Sequence, residues 1–172
     1  MNDRPSSTRK FPALASALRR FDVALSYLAS PFLLATRLYV SWQFLTSGWL
    51  KISTWQTTLA LFTNEYHVPV LPPHVAAVVG TFGELFFPVL LILGLFSRPA
   101  AIGLSVVNAM AVISYAHVLL ADGNEAALGQ HVLWGFMLLA IMVFGSGALS
   151  IDGLFARGKE RAEIDGMLPR EV

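Results

Sequence analysis

Residues 75–96, VAAVVGTFGELFFPVLLILGLF, form an apolar run about as long as a bilayer's hydrocarbon core demands of a helix, and one charge, Glu84, interrupts it near its middle. An acidic side chain at the centre of a spanning helix costs about 2.5–3.5 kcal/mol on insertion scales, so a bare carboxylate facing lipid is unfavourable. The run therefore predicts a spanning helix whose Glu84 faces protein or water beside a partner group. The whole chain supports a small integral membrane protein: of 172 residues, 55% are hydrophobic and only 13% charged. It has no cysteine, which excludes disulfides, thiolate metal ligands and thiol redox chemistry of its own. A redox role would need an external cofactor, a bound metal or a partner protein.

The pattern along the chain predicts an all-α fold, a four-transmembrane-helix bundle preceded by an amphipathic interfacial helix. Residues 1–31 form the N-terminal segment. Its first ten residues, MNDRPSSTRK, are polar and expected to be disordered. Phe11, Leu14, Leu18, Phe21, Leu25 and Leu28 then recur at alternating spacings of three and four, with Lys10, Arg19 and Arg20 nearby. Such a helix suits either a membrane surface with anionic headgroups or the cytoplasmic end of the bundle. No continuous signal-peptide core precedes Phe32, so the first span is expected to be retained. The transmembrane domain covers 32–149, with spans at about 32–52, 75–96, 99–120 and 129–149. Between the first two, Trp55, Leu59, Phe62 and Tyr66 share one helical face and predict a short interfacial helix. Residues 150–172 are a charged tail.

Lysine and arginine set the orientation. They fall in the N-terminal segment (Arg4, Arg9, Lys10, Arg19, Arg20), in the turn after span two (Arg98) and in the tail (Arg157, Lys159, Arg161, Arg170). None lies between Ser53 and His74 or between Ala121 and Gly129. The expectation is a multi-pass protein with both termini cytoplasmic. The basic groups obey this membrane rule and leave no patch for nucleic acid.

Laying the spans side by side at about 1.5 Å per residue gives two polar layers. Gln43, Glu84 and Asn108 fall near the midplane, and Arg37 lies one to two turns nearer the cytoplasm. An Arg37–Glu84 ion pair completed by Gln43 or Asn108 is the economical way to bury these groups, whether it serves function or only locks the bundle. The second layer is at the non-cytoplasmic face. It contains all four histidines, His67, His74, His117 and His131, at a depth shared by Lys51, Glu65, Asp122, Glu125 and Gln130. Imidazoles and carboxylates on one rim can bind zinc or copper or relay protons, although no local spacing matches a metal motif. His131 stands apart inside a hydrophobic span with Trp134 within one turn. Either its polar tip is held by a hydrogen bond or it exchanges a proton with a bound quinone.

Three stretches carry a family resemblance, spread over about residues 32–155. They are LLATRLYVSWQFLTSGWLKI, then EYHVPVLPPHVAAVVGTFGELFFPVLLILGLFSRPAAIGL, then the close GSGALSIDGLF. In this order they resemble the DoxX family of small bacterial four-helix membrane proteins. The chain departs from many relatives in having GSG where GPG is usual. The resemblance implies a bacterial inner-membrane protein. Some relatives are subunits of a quinone-reducing thiosulfate oxidoreductase, and others accompany oxidative-stress or metal-response systems. Arg37, Lys51, Glu84 and His131 are the polar residues within family-like segments, and Ser150 and Asp152 belong to the closing motif. That motif also suits a structural part, with Ser146-Gly147 ending span four and Ser150 or Asp152 capping the next turn.

Three functions stay open at this point. The first is a quinone-linked subunit of a membrane oxidoreductase or stress-response system, with Lys51 and His131 at the ring and Glu84 and Arg37 completing a proton path. The second is metal or small-molecule transport through the histidine rim (His67, His74, His117, His131). The third is a non-catalytic scaffold recruiting membrane or soluble oxidoreductases. The bilayer is a partner in each, and a homo-oligomer is compatible with all three. The chain has no dinucleotide fingerprint, haem-attachment motif or nucleophile elbow, and no catalytic residue is assigned.

Overall fold

A computed structural model describes residues 11–167 of the chain. The polar leader 1–10, with Arg4, Arg9 and Lys10, and Arg170 near the C-terminus lie outside the described residues. The described residues form helices only, and four of these are long and apolar enough to cross a membrane.

The first helix, α1, runs from Phe11 to Ser53 with Pro31 inside it. The amphipathic segment and the first span are thus one 43-residue helix rather than two elements. A proline removes one N–H from the ladder, a loss that spanning helices tolerate when the sequence on both sides favours helix. The interfacial helix α2 (Trp55–Asn64) follows, and its Phe62 packs on Ala76 and Ala77 of the next span. That span, α3 (Pro73–Leu93), starts with a proline where the missing N–H is harmless. It ends at Gly94, φ +66°, where Leu95 N donates to Leu90 O at 3.0 Å and Gly94 N donates to Leu91 O at 3.1 Å. Those two bonds make a Schellman C-cap.

The third span is shorter than expected. It is α4 (Ser97–Ser114), separated at Tyr115 from a single turn, α5 (Ala116–Leu119). The fourth, α6 (Glu125–Phe144), starts and stops earlier than 129–149, because Gly145 at φ +78° turns the chain out of the helix. The charged tail is itself helical, α7 (Ile151–Met167). Ser150 caps it, accepting from Gly153 N at 2.9 Å.

The spans alternate in direction. One core, made by Val40 and Phe44 of α1, Leu91 of α3, Ala100, Ala101 and Leu104 of α4 and Leu138 and Ile141 of α6, joins all four. Large apolar side chains such as Trp42, Trp49, Phe82 and Phe136 point outward, a surface that lipid solvates as readily as the interior does. Contacts across the chain define the end of the bundle that holds α7. Ser30 Oγ accepts from Ala148 N at 3.0 Å, and Asp152 N donates to Gly94 O at 2.9 Å.

Asp152 also caps α4 from α7. Its carboxylate accepts from Phe96 N and Ser97 N at 2.9 Å and from Ser97 Oγ at 2.8 Å. Negative charge at a helix N-terminus is favourable. Partial burial pushes the Asp152 carboxyl up, but the Ser97 N–H and hydroxyl, the Phe96 N–H and the Arg37 charge together hold it below the ordinary aspartate range.

A depressed aspartate adds stability that is complete above its unfolded pKa, about 3.9, and is lost as pH falls through the lower folded value. In detergent, the wild type should therefore lose melting temperature below about pH 4 more steeply than Asp152→Asn, as followed by circular dichroism. Gly94→Ala places a methyl group in a left-handed conformation against Ser150 and the Arg37 guanidinium. It should destabilise the bundle by about 1–3 kcal/mol, read in the same assay.

Candidate functional site

Two cationic side chains of α1 enter the bundle, Arg37 fully buried and Lys51 partly exposed, and they are met differently. Arg37 is fully buried at the α7 end. Its Nη1 donates to Leu91 O at 2.9 Å and, more weakly, to Ile92 O at 3.5 Å, while Nη2 donates to Leu149 O at 2.6 Å. These acceptors include the last carbonyls of α3, the negative end of its dipole, which favours a cation. Glu84 lies seven residues before Leu91 on the same helix, about 10 Å away along the axis. The expected Arg37–Glu84 pair is therefore not made. The carbonyls at the end of α3 and the chain beyond α6 meet the guanidinium first. Its Nε remains without a partner.

Glu84 pairs with Lys51 instead. Lys51 Nζ stands 2.6 Å from both carboxylate oxygens and donates to Ser47 Oγ at 2.9 Å, so three oxygens hold the ammonium. Local sequence builds this contact. Ser47 lies one turn before Lys51 on α1. Gly48 is buried, and a Cβ there would press on Leu85 and on Glu84 Cβ, so its absence lets α1 approach α3. Thr58 Oγ1 donates to the Lys51 carbonyl at 3.0 Å, anchoring the start of α2 beside the pair.

A second polar unit sits on α4 and α6. Asn108 Nδ2 donates to the backbone carbonyl of His131 at 2.9 Å, and Asn108 Oδ1 lies 2.8 Å from His131 Nδ1. Asn108, expected in a midplane cluster with Arg37 and Glu84, is committed to His131, which α6 turns toward it. The imidazole stacks edge-on with Trp134 at 4.9 Å between centroids, and Trp134 in turn meets Phe44 at 5.4 Å.

The two units share one cavity of about 610 Å³ between α1, α2, α3, α4, α6 and the 65–72 connector. Its walls are mainly apolar. Polar groups reach it from Gln43, Ser47, Lys51, Glu84, Tyr66, Tyr115 and His131. That volume and lining fit a small amphiphilic organic ligand. Gln43 thus joins Glu84 at the cavity, as its depth in span one implies, while Arg37 does not line it.

The histidine rim divides. His67 and His117 approach each other, ring centroids 4.8 Å apart, with His67 N donating to Ser114 O at 2.9 Å. His74 is exposed at the start of α3, and His131 belongs to the cavity. Among the described residues no three histidine, aspartate or glutamate side chains converge as a metal site would require. The four-histidine set is not brought together: His67 meets His117, His74 stays exposed, and His131 is held against Asn108 at the cavity. Sequence reasoning passed over Tyr66, Tyr115 and Ser47 as cavity residues. Only Ser47 left a signal, its one-turn spacing from Lys51.

A family model described as DoxX matches residues 32–118, half of the chain. It spans Arg37, Lys51, Glu84 and Asn108 and stops before His131. No curated protein and no solved structure matches the chain.

Removing Lys51 while keeping Glu84 strands a carboxylate among apolar helices. Lys51→Met should cost about 3–5 kcal/mol, and Lys51→Met with Glu84→Gln should recover much of that, because a neutral amide replaces the stranded charge. Thermal melts of the two variants in detergent decide whether the pair is coupled in this way.

Proposed function

The chain belongs to the DoxX family, and on that premise we propose that this multi-pass membrane protein is a quinone-binding accessory subunit of a membrane oxidoreductase or stress-response system. The observation that carries the reading is convergence. Lys51, Glu84 and His131, drawn from three helices, line one apolar cavity of about 610 Å³. A flat ring with polar edges needs this combination of apolar walls and a few groups able to hold its oxygens or exchange protons. Phe44, Phe62, Tyr66 and Trp134 add aromatic surface around it.

We place the protein in a bacterial inner membrane with both termini cytoplasmic. The distribution of basic residues supports this orientation. Arg19, Arg20, Arg98, Arg157, Lys159 and Arg161 belong to the α7 end, whereas the connectors at the opposite end have no lysine or arginine. Lys51, which lies toward that opposite end, has its charge matched by Glu84.

The test is thermal stability of the purified protein in detergent with a short-chain ubiquinone analogue. A ligand at about 100 times its Kd adds about 2.7 kcal/mol to the native state. The analogue should raise the melting temperature of the wild type, less so that of His131→Ala, and equally that of His67→Ala with His117→Ala. An identical shift in His131→Ala, or no shift in the wild type, removes the proposal. Stabilisation by zinc or copper alone, lost with His67 and His117, would move the assignment to metal handling. No shift from any ligand, with Glu84→Gln merely unstable, would leave a scaffold.

A further inference from the structure

The hydrogen bonds around His131 fix more than its position. Asn108 touches His131 twice, and one contact determines the other. The His131 backbone carbonyl can only accept, so the Asn108 atom 2.9 Å from it is the NH₂ group. The other end of that amide, Oδ1, therefore faces His131 Nδ1 at 2.8 Å. A carbonyl oxygen cannot donate, so Nδ1 must carry the proton. In the neutral imidazole the lone pair is then on Nε2, which has no hydrogen-bond partner among the described residues, and His131 lines the cavity.

The opposite polar unit has the same character. The Lys51 ammonium is held by Ser47 and by both Glu84 oxygens, so the cation at this end is already matched within the protein. What Glu84 keeps is acceptor capacity, since a carboxylate has about four lone-pair sites. The indole N–H of Trp134, whose ring lines the cavity, is itself buried and has no partner among the described residues. Both fixed polar ends are thus acceptors. The Ser47, Tyr66 and Tyr115 hydroxyls can donate or accept, and Gln43 has both an N–H and a carbonyl, so these four serve either kind of ligand.

We propose that Asn108 locks His131 in the Nδ1–H tautomer and that the cavity in consequence binds the reduced, dihydroxy form of its quinone-type ligand in preference to the oxidised, dicarbonyl form. The ligand half of this proposal rests on the quinone reading above; the tautomer half does not. A hydroquinone presents hydroxyl donors to the His131 Nε2 and Glu84 lone pairs. A quinone presents carbonyl oxygens, which leave those acceptors unpaired. One mismatched buried hydrogen bond amounts to about tenfold in affinity. Asn108 is a positioning residue in this scheme, acting on the ligand only through His131.

The experiment uses the full chain in detergent or nanodiscs, with two readouts. The first is ¹⁵N NMR of histidine-labelled, ligand-free protein, with the His131 signal assigned by its loss in His131→Gln. The wild type should show a protonated Nδ1 and an unprotonated Nε2, and Asn108→Leu should lose that bias. The second is calorimetric titration under anaerobic conditions with a short-chain ubiquinol and the matching ubiquinone. The wild type should bind the quinol about tenfold more tightly or better, and Asn108→Leu should narrow the ratio while its overall fold, by circular dichroism, persists. The wild-type comparison stands even if that variant fails to fold. A protonated Nε2 in the wild type overturns the lock. Equal affinity for the two forms, or tighter quinone binding, overturns the preference alone. Binding of neither form by a protein with the Nδ1–H signature overturns the quinone reading and the preference together.

Discussion

Buried charge in an apolar bundle must be met by something, and the nature of the partner organises this protein. A guanidinium has five donors and tolerates a ring of neutral carbonyls, whereas an ammonium is a point charge best answered by a carboxylate. α1 contains one of each, and they divide the bundle between them. Arg37 takes carbonyls at the end of α3 and beyond α6 and ties the chain's exits together. Lys51 takes Glu84 and leaves its surroundings open as a cavity. The two cations carry the same charge and differ in geometry. The α3 C-cap offers diverging acceptors that suit a planar fork, and the Glu84 site offers two oxygens equidistant from one nitrogen.

The two polar systems also differ in how finished they are. Around Arg37, Asp152 caps α4 and Ser150 caps α7, so the turn from α3 to α4 and the entry to α7 form one hydrogen-bonded block. At the opposite end, the Lys51–Glu84 pair and the Asn108–His131 pair are each hydrogen-bonded internally while Lys51, Glu84 and His131 also line a mainly apolar cavity. Sites that recognise ligands commonly have this form, with rigid polar groups set by their neighbours and pointing into a volume they do not fill.

The spans were legible because bilayer length and apolar composition leave little choice for runs such as 75–96. Their ends were less so. Gly145 stops α6 through a positive φ that the hydropathy pattern does not register, and Pro31 sits inside a helix although it marks a natural boundary in sequence. The tail's helix was hidden because charged composition alone does not separate α7 from a solvated segment; the signal was Ser150 at its N-cap. At the site, Lys51, Glu84 and His131 could each be named from depth and residue type. Their pairing could not. Arg37 and Lys51, 14 residues and about four turns apart, share a face of α1, and the sequence alone did not show that Glu84 meets the depth of Lys51 rather than that of Arg37. The same blindness hid Asn108, whose partner is set by how α4 and α6 face each other.

The Arg37 clamp has a consequence for how the chain is made. Its two strong acceptors are 54 and 112 residues downstream. Chains emerge from the ribosome at about 5–20 residues per second, so roughly 6–22 seconds separate synthesis of Arg37 from synthesis of Leu149. Through that interval the first span holds a guanidinium whose final acceptor does not yet exist. The clamp on Arg37 is therefore complete only once the chain beyond the fourth span has been made.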